Sequence, residues 1–304
     1  MENGVRLPEG LTSRPATADG ADAIVELIAA CELSDDGAVE IDLEDLVLAF
    51  GRVGFDPSTD ATLVFDDELL VGWAEVYRGR AEVYVRPSHR GRGLGAALLA
   101  WTEARARALG LSELDQVRTE ADEGARDLFL SGGYRRTGES WILRIELERP
   151  SPAPEVPTGI TIRAYDAATD ERAAHRVWEE AIGAVRGRPP APFDVWASQT
   201  IAHASFAPEL SRVASDGGDV VGTLIAYDFP DAGEVWIGQL ATVASHRRRG
   251  IAGALLREVF ATARMAGRTR CGLSTDSATG ARALYERNGM RVIRTYVRYT
   301  KPLS

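Results

Sequence analysis

The chain has 304 residues, 45% hydrophobic and 26% charged, with a formal net charge of −10. That length suggests two domains with ample core, and without an apolar run of about 18 residues no membrane-spanning helix is expected. The acidic balance argues against nucleic-acid binding and weakly favours a cationic or amine ligand. The first residues, Met1-Glu2-Asn3-Gly4-Val5-Arg6, lack the basic and apolar regions of a secretion signal. The two cysteines, Cys31 and Cys271, are too few for a disulfide framework; they read as small buried thiols in a reducing cytoplasm. The four histidines (His89, His175, His203 and His246) show no metal-ligand spacing, so no metal is expected.

In chain order, hydrophobic patterning predicts a strand over 12–15, helices over 20–31 and 43–51, and strands over 62–65 and 69–77 about an Asp66-Asp67 turn. A strand over 81–85 runs into a Gly/Arg turn and a helix beginning at Ala96. A strand over 114–119, a helix over 123–131 and a strand over 141–146 follow. Residues 148–159 carry four prolines; this reads as a stiff linker over 150–159 between domains 1–149 and 160–304. Beyond it come a strand from Ile160, helices over 173–183 and 193–203, and strands over 212–214 and 220–227 about Gly217-Gly218-Asp219. A strand over 234–240, a second Gly/Arg turn, a helix over 254–260 and a strand at Cys271 complete the series. The order describes two copies of a mixed α/β unit.

The two turns are alike. Arg90-Gly91-Arg92-Gly93-Leu94-Gly95 fits R-x-x-G-x-G, and Arg247-Arg248-Arg249-Gly250-Ile251-Ala252 fits R-x-x-G-x-A, about half a chain later. Each lies between a strand and a helix. The first amides of a helix have no intrahelical partner, and the dipole there favours an anion. Glycine admits close approach of the backbone, and arginine adds charge-assisted hydrogen bonds. Such a turn can seat a pyrophosphate or be a plain connection; finding it twice in one context is the informative observation. Neither copy is a Walker loop, since no Gly-Lys-Ser/Thr follows, and the second lacks the dinucleotide-binding spacing. Arg247-Arg248-Arg249 reads either as a phosphate contact or as a solvated turn. His89 and His246, each preceding a loop arginine, read as solvated loop positions.

Val83, Val85, Pro87, Arg90, Gly93 and Gly95 spell V-x-V-x-P-x-x-R-x-x-G-x-G, which resembles the acetyl-CoA-binding segment of the GNAT superfamily of N-acetyltransferases. Leu240, Thr242, Ala244, Arg247, Gly250 and Ala252 give a looser copy, with Ala244 where the family usually has proline. Ala281-Arg282-Ala283-Leu284-Tyr285-Glu286-Arg287-Asn288-Gly289-Met290 resembles the family's A-x-x-L-Y-x-x-x-G-F ending; the first copy has Phe129 in place of the tyrosine. The resemblance implies the family's tandem two-domain type, each domain a mixed, mostly antiparallel sheet flanked by helices.

The resemblance also implies acetyl-CoA as co-substrate. It would be held by Leu240, Ala241, Thr242, Arg247, Arg248, Arg249, Gly250, Ile251, Ala252 and Gly253 in the second copy, and by Val83, Val85, Arg90, Gly91, Arg92, Gly93, Leu94 and Gly95 in the first. A backbone amide of Leu240-Ala241-Thr242 would stabilise the oxyanion. Tyr285 would be the general acid, the alternative being a core tyrosine. Glu234 would be the general base; its spacing is two residues longer than the family's usual, though strand alternation keeps it on the same face, the alternative being a solvated strand-end carboxylate. Glu82 is a comparable residue at a different offset. Trp178, Trp196 and Trp236 line an acceptor pocket or fill the core, and Ala278 replaces an asparagine that the family often carries. The expected reaction is transfer of an acetyl group to a primary amine of a small molecule, catalysed in the C-terminal half. A non-catalytic acyl-CoA sensor or scaffold is the alternative. Neither a nucleic acid nor a membrane is expected as a partner, and no motif fixes the acceptor or the oligomeric state.

Overall fold

Leu69–Tyr77 is apolar on both faces, and its interior residues are buried throughout. A strand of that kind must be covered on both sides, and the helices that flank it do so. The computed structural model describes residues 6–17, 20–37, 39, 41–148, 155–187 and 189–303. The first half runs β1 (Leu11–Pro15), α1 (Ala21–Asp36), α2 (Leu43–Phe50), α3 (Pro57–Asp60), β2 (Ala61–Asp66), β3 (Leu69–Tyr77) and β4 (Arg80–Val85). It continues with α4 (Leu94–Ala108), β5 (Glu113–Thr119), α5 (Glu123–Ser131) and β6 (Arg135–Glu146). The second half repeats the order: β7 (Ile160–Ala164), α6 (Glu171–Arg186), α7 (Phe193–Gln199), β8 (Arg212–Asp216), β9 (Asp219–Phe229), β10 (Glu234–Thr242), α8 (Ile251–Met265), β11 (Arg270–Asp276), α9 (Arg282–Arg287) and β12 (Arg291–Pro302). No helix among the described residues is long and apolar enough to cross a membrane.

The chain forms two compact units, residues 1–138 with 296–304, and residues 139–295. The first has strand order β1-β2-β3-β4-β5 followed by the end of β12. All neighbours are antiparallel except β4 and β5. The second has order β6-β11-β10-β9-β8-β7, antiparallel except for β10 and β11. The mixed, mostly antiparallel sheet read from the sequence is therefore present in each unit. α1 packs Ile24 and Leu27 on Leu63 and Trp73, while α4 packs Leu94 and Leu98 on Val64 and Val71 of the other face. α8 does the same in the second unit with Leu255, Leu256, Val259 and Phe260.

The units do not divide at the proline-rich stretch. Residues 150–154 of that linker lie outside the described residues. The last strand of each half completes the sheet of the other unit: β12 pairs Tyr296–Pro302 with Thr119–Glu113, and β6 pairs Ser140–Glu146 with Asp276–Arg270. Equivalent strands of a repeat present equivalent edges, so local sequence does not specify which copy a strand joins. The helix expected over 193–203 stops at Gln199, and the buried Thr200 turns its hydroxyl to accept from Gln239 Nε2 at 3.1 Å. α3 is a four-residue helix that the patterning misses; Asp56 caps it by accepting from Ser58 N at 3.0 Å, and Pro57 starts it.

In the N-terminal unit the exchanged segment buries Val297 and Tyr299 against Leu99, Phe129 and Tyr134, and Lys301 Nζ lies 2.8 Å from Glu103. Tyr299→Ala is therefore expected to destabilise the N-terminal unit by about 3 kcal/mol, despite lying at the far end of the chain. Denaturant unfolding of the full chain checks this; an unchanged midpoint would show that the last strand is not part of that core.

Candidate active site

The site begins with a strand that carries one residue too many. β10 pairs with β9 through a bulge at Gly238, where Ile237 opposes Ala226 and Gln239 opposes Ile225. The ring of Tyr227 lies against this glycine, so an added Cβ would come within 2.2 Å of Tyr227 Cε2. On the other side β10 keeps parallel pairing with β11 only from Glu234–Arg270 to Ile237–Leu273. Past the bulge the two strands part. Gly238–Thr242 stays on β9, while Ser274–Asp276 stays on β6. The gap opens into a cavity of about 1300 Å³. Val243 donates its N–H to Val221 O. By strand alternation the Leu240 and Thr242 peptide groups then face the gap. The Thr242 hydroxyl is buried there with no hydrogen-bond partner.

α8 points its N-terminus into the same cavity. Gly250 caps it in the left-handed region at φ +88°, and Ala254 N makes the helix's first bond to Gly250 O. The amides of Ile251, Ala252 and Gly253 precede that bond and have no intrahelical acceptor. Arg248 also has positive φ, +62°, so the turn alternates left-handed residues and forms a concave set of donors suited to an anion. Arg247 Nε donates to Thr242 O at 3.3 Å, and the Arg248 side chain has no protein partner among the described residues. Both line the cavity, as do Leu240, Ala241, Thr242, Gly250, Ile251, Ala252 and Gly253. Arg249 does not: it pairs with Asp216 at 3.2 Å. His246, bracketed by the Ser245 hydroxyl at 2.9 Å and Asp216 at 3.1 Å, pins the turn to the β8–β9 hairpin. These bonds hold the Asp216 carboxyl below its ordinary range, the His246 bond contributing most.

The first copy has the same backbone and different occupants. Gly93 caps α4 at φ +86° and Gly91 is also left-handed. His89 repeats the tie, with Ser88 at 2.9 Å and Asp66 at 3.0 Å. The solvated reading of both histidines gives way to a structural one. β4 has no bulge, and its parallel pairing with β5 ends at Ala81–Gln116. Here the chain's own side chains take up the groups around the strand end. Cys31 Sγ donates to Val85 O at 3.3 Å, Arg90 Nε donates to the same oxygen at 3.1 Å, and Arg90 Nη1 and Nη2 each donate a hydrogen bond to the carboxylate of Asp35. Arg118 lies 4.5 Å from the centroid of the Tyr84 ring. Of the first-copy residues expected to bind coenzyme, Val83, Val85, Arg90, Gly91, Arg92, Gly93, Leu94 and Gly95 all lie in the N-terminal unit and do not line the C-terminal cavity.

Tyr285 enters the cavity from α9. It is 7% exposed, and its hydroxyl has no hydrogen-bond partner among the described residues. Burial pushes its phenol up to about 12, so it stays protonated at neutral pH. Its counterpart Phe129 packs among aromatic rings, 5.7 Å from Tyr134 and 5.3 Å from Tyr299. Glu234 is a different matter. It lies outside the cavity, between Arg144 at 2.9 Å and Arg270 at 3.1 Å. The bulge sets its face: one extra residue at Gly238 reverses the alternation, leaving Glu234 on the face of Gln239 and Ala241 and opposite Leu240 and Thr242. Glu82 pairs with Arg80 at 3.1 Å. Of the three tryptophans only Trp178 lines the cavity; Trp196 is buried and donates to Gln239 Oε1 at 3.2 Å, and Trp236 stands over Gly272. Sequence reading missed Arg257, whose Nη1 donates to Asn288 Oδ1 at 2.8 Å, and the ion pair of Arg186 with Asp276. Asp276 is the one carboxylate lining the cavity among the described residues.

The description "Acetyltransferase (GNAT) family" fits residues 23–134 and 176–290. A mycothiol acetyltransferase of Nocardia farcinica is 30% identical over 267 residues, covering 78% of this chain and 84% of that protein. One from Cellulomonas flavigena is 35% identical over 115 residues, and the chain spans only about a third of its length, 33%. A GCN5-related N-acetyltransferase from Sphaerobacter thermophilus has the same fold, with TM-score 0.81, 34% identity and coverage of 98% and 97% of the two chains. A tandem GNAT protein from the clavulanic acid biosynthesis pathway shares the fold at 18% identity, with TM-score 0.71 and coverage of 97% and 99%.

Glu234→Gln is expected to act on stability and not on turnover. Losing the shared carboxylate leaves two arginines facing each other, at a cost of roughly 1–3 kcal/mol once their partial exposure is discounted. kcat should stay within about twofold. Unfolding and steady-state rates measured on the same variant check this; a hundredfold loss of kcat at unchanged stability would return Glu234 to the role of base.

Proposed function

Because the chain belongs to the acetyltransferase (GNAT) family, we propose that its C-terminal unit moves the acetyl group of acetyl-CoA to a primary amine of a small molecule, by direct attack of the amine on the thioester. One observation carries the reading. The parted strands, the open N-terminus of α8 and the unbonded hydroxyl of Tyr285 all meet in one cavity. The residues suit the coenzyme: free amides, a left-handed glycine and the unpaired Arg248 offer a seat for a pyrophosphate.

The residues divide the work as follows. Leu240 presents a peptide N–H to the gap, where it would donate to the thioester oxygen as negative charge builds there. The cavity holds amine and thioester together, and that positioning alone can lower a barrier by about 7–11 kcal/mol. The amine nitrogen forms the new C–N bond, the C–S bond breaks, and Tyr285 gives its phenolic proton to the departing sulfur. A phenol at about 12 is a weak acid beside a free thiol near 8.5. The comparison narrows where the departing sulfur is shielded from water, because desolvation raises a thiol as well. With Glu234 held by two arginines outside the cavity, water takes the ammonium proton before attack, and the second proton, shed by nitrogen after the C–N bond forms, passes through water to the Tyr285 phenolate.

The N-terminal unit is proposed to be non-catalytic. Phe129 has no proton to give, and Arg90 is committed to Asp35. It serves as a scaffold that receives the last strand of the chain.

Two substitutions separate the units. Gly250→Asp places a carboxylate at the anion seat; the nearest neighbour of the added Cβ is Pro157 Cγ at 3.7 Å, and aspartate tolerates positive φ better than most residues, so the fold should survive. Thiol release should be lost with Gly250→Asp and largely kept with Gly93→Asp; the opposite result would reverse the choice of active unit. Tyr285→Phe should lower kcat by about 10–10³-fold with unchanged acetyl-CoA affinity by calorimetry. Because the Tyr285 phenol titrates only at about 12, the wild-type rate should rise as the acceptor amine deprotonates and show no fall below about pH 11. A fall near pH 8–9 that disappears in Tyr285→Phe would show a phenol far more acidic than its burial dictates.

A further inference from the structure

The cavity is lined by two kinds of surface. One is the anion seat of α8. The other is α6, which presents Trp178, Ala181, Ile182 and Val185, spaced by three and four residues along one apolar helix face. That face ends at Arg186, whose guanidinium pairs with the Asp276 carboxylate at the end of β11. Both side chains line the cavity and both keep solvent access, 40% for Arg186 and 19% for Asp276.

The two oxygens of Asp276 are used differently. Oδ1 accepts from Ala278 N at 3.1 Å and Thr279 N at 3.3 Å, which shapes the turn leading to the helix of Tyr285. Oδ2 takes Arg186. Asp276 is thus fixed by backbone while Arg186 reaches it from a long side chain at a helix end. An exposed pair of this kind contributes little to stability, and its partners are readily exchanged. Apart from this pair, the charged groups of the cavity lie on the loop and helices about the anion seat: Arg247, Arg248, Arg257 and Arg287.

Resting on the transferase reading above, we propose that the acceptor is an amine that also bears a carboxylate and an apolar body, an apolar α-amino acid being the simplest member. Arg186 takes the carboxylate, Asp276 Oδ2 takes the ammonium before its deprotonation, and the α6 face takes the apolar side chain. Each charged group trades one partner for another of the same sign, so neither is left buried and unpaired on binding. Arg186 and Asp276 are specificity residues; neither donates nor removes a proton in the transfer.

The test compares phenylalanine, phenylalaninamide and phenethylamine as acceptors for the full-length protein. They share a ring and a primary amine, and only the first carries a carboxylate. The amide's amine deprotonates more readily, which by itself would favour the amide. Wild type should nevertheless prefer the acid by tenfold or more in kcat/KM. Arg186→Gln should lower kcat/KM for the acid about 10–100-fold, mostly through KM, while changing the amide less than threefold, and Arg186→Lys should recover part of the loss. Calorimetric titration of phenylalanine into the protein saturated with coenzyme A should show the same loss in Arg186→Gln. Equal use of acid and amide by wild type, or an equal loss on both in Arg186→Gln, would overturn the inference. If acetyl-CoA binds and other amines are acetylated but phenylalanine is not, this inference fails and the transferase reading stands. If acetyl-CoA does not bind and no thiol is released, both fail.

Discussion

The site depends on the bulge at Gly238. The parallel partners part in both units, β4 from β5 without a bulge and β10 from β11 beside one, and only in the second does the strand bend at the parting. Inserting one residue bends the strand where the parallel ladder ends, at Ile237–Leu273, and leaves the edges of Gly238–Thr242 and Ser274–Asp276 facing a common gap. The ring of Tyr227 lies where any side chain at position 238 would stand, so the bulge requires glycine there. Backbone groups freed in this way need partners, and a substrate that lies between the strands can supply them. The same parting lets α8 direct its N-terminus, and α9 its Tyr285, at one volume.

The repeat shows how much of this geometry belongs to the backbone and how much to side chains. Both turns use a left-handed glycine as the helix cap, and both are tied to a hairpin by a histidine held between a serine and an aspartate. These features fix the turn. What differs is who meets the exposed groups. In the N-terminal unit Cys31, Arg90 and Asp35 are part of the chain and always present, so the groups they bond are already satisfied. The first amides of α4 and α8 are open alike, each helix making its first bond back to the capping glycine. In the C-terminal unit Arg247 has no carboxylate partner like Asp35 among the described residues, and it and Arg248 line a cavity.

Much of this was legible in the sequence. The Gly/Arg turns were readable because a left-handed cap strongly favours glycine and an anion seat favours arginine, and both constraints act within a few residues. Tyr285 and Phe129 were readable as a contrast for the same reason. The misreadings share a different cause. The face of Glu234 was read by counting alternate residues, and a single extra residue at Gly238 reverses that count for everything beyond it. Arg249 looks like its neighbours in sequence but turns to Asp216, a partner 33 residues away. Trp196 and Trp236 were indistinguishable from Trp178 by composition, since which tryptophan meets the cavity depends on how α6 and α7 pack on the sheet.

By itself the sequence determined the two α/β copies, their strand and helix order, the glycine caps and the inequality of the two halves. These follow from interactions between near neighbours: helical and strand periodicity, turn conformation, and helix ends. Only the tertiary structure decided that the last strand of each half completes the other unit's sheet, that Glu234 is an ion-pair partner of Arg144 and Arg270, and that Arg186 and Asp276 meet across the cavity. Such outcomes are set by contacts between residues about 36 to 185 positions apart, and two equivalent copies of a repeat offer each strand equivalent edges, so the choice is made by packing of the whole chain and leaves no local mark.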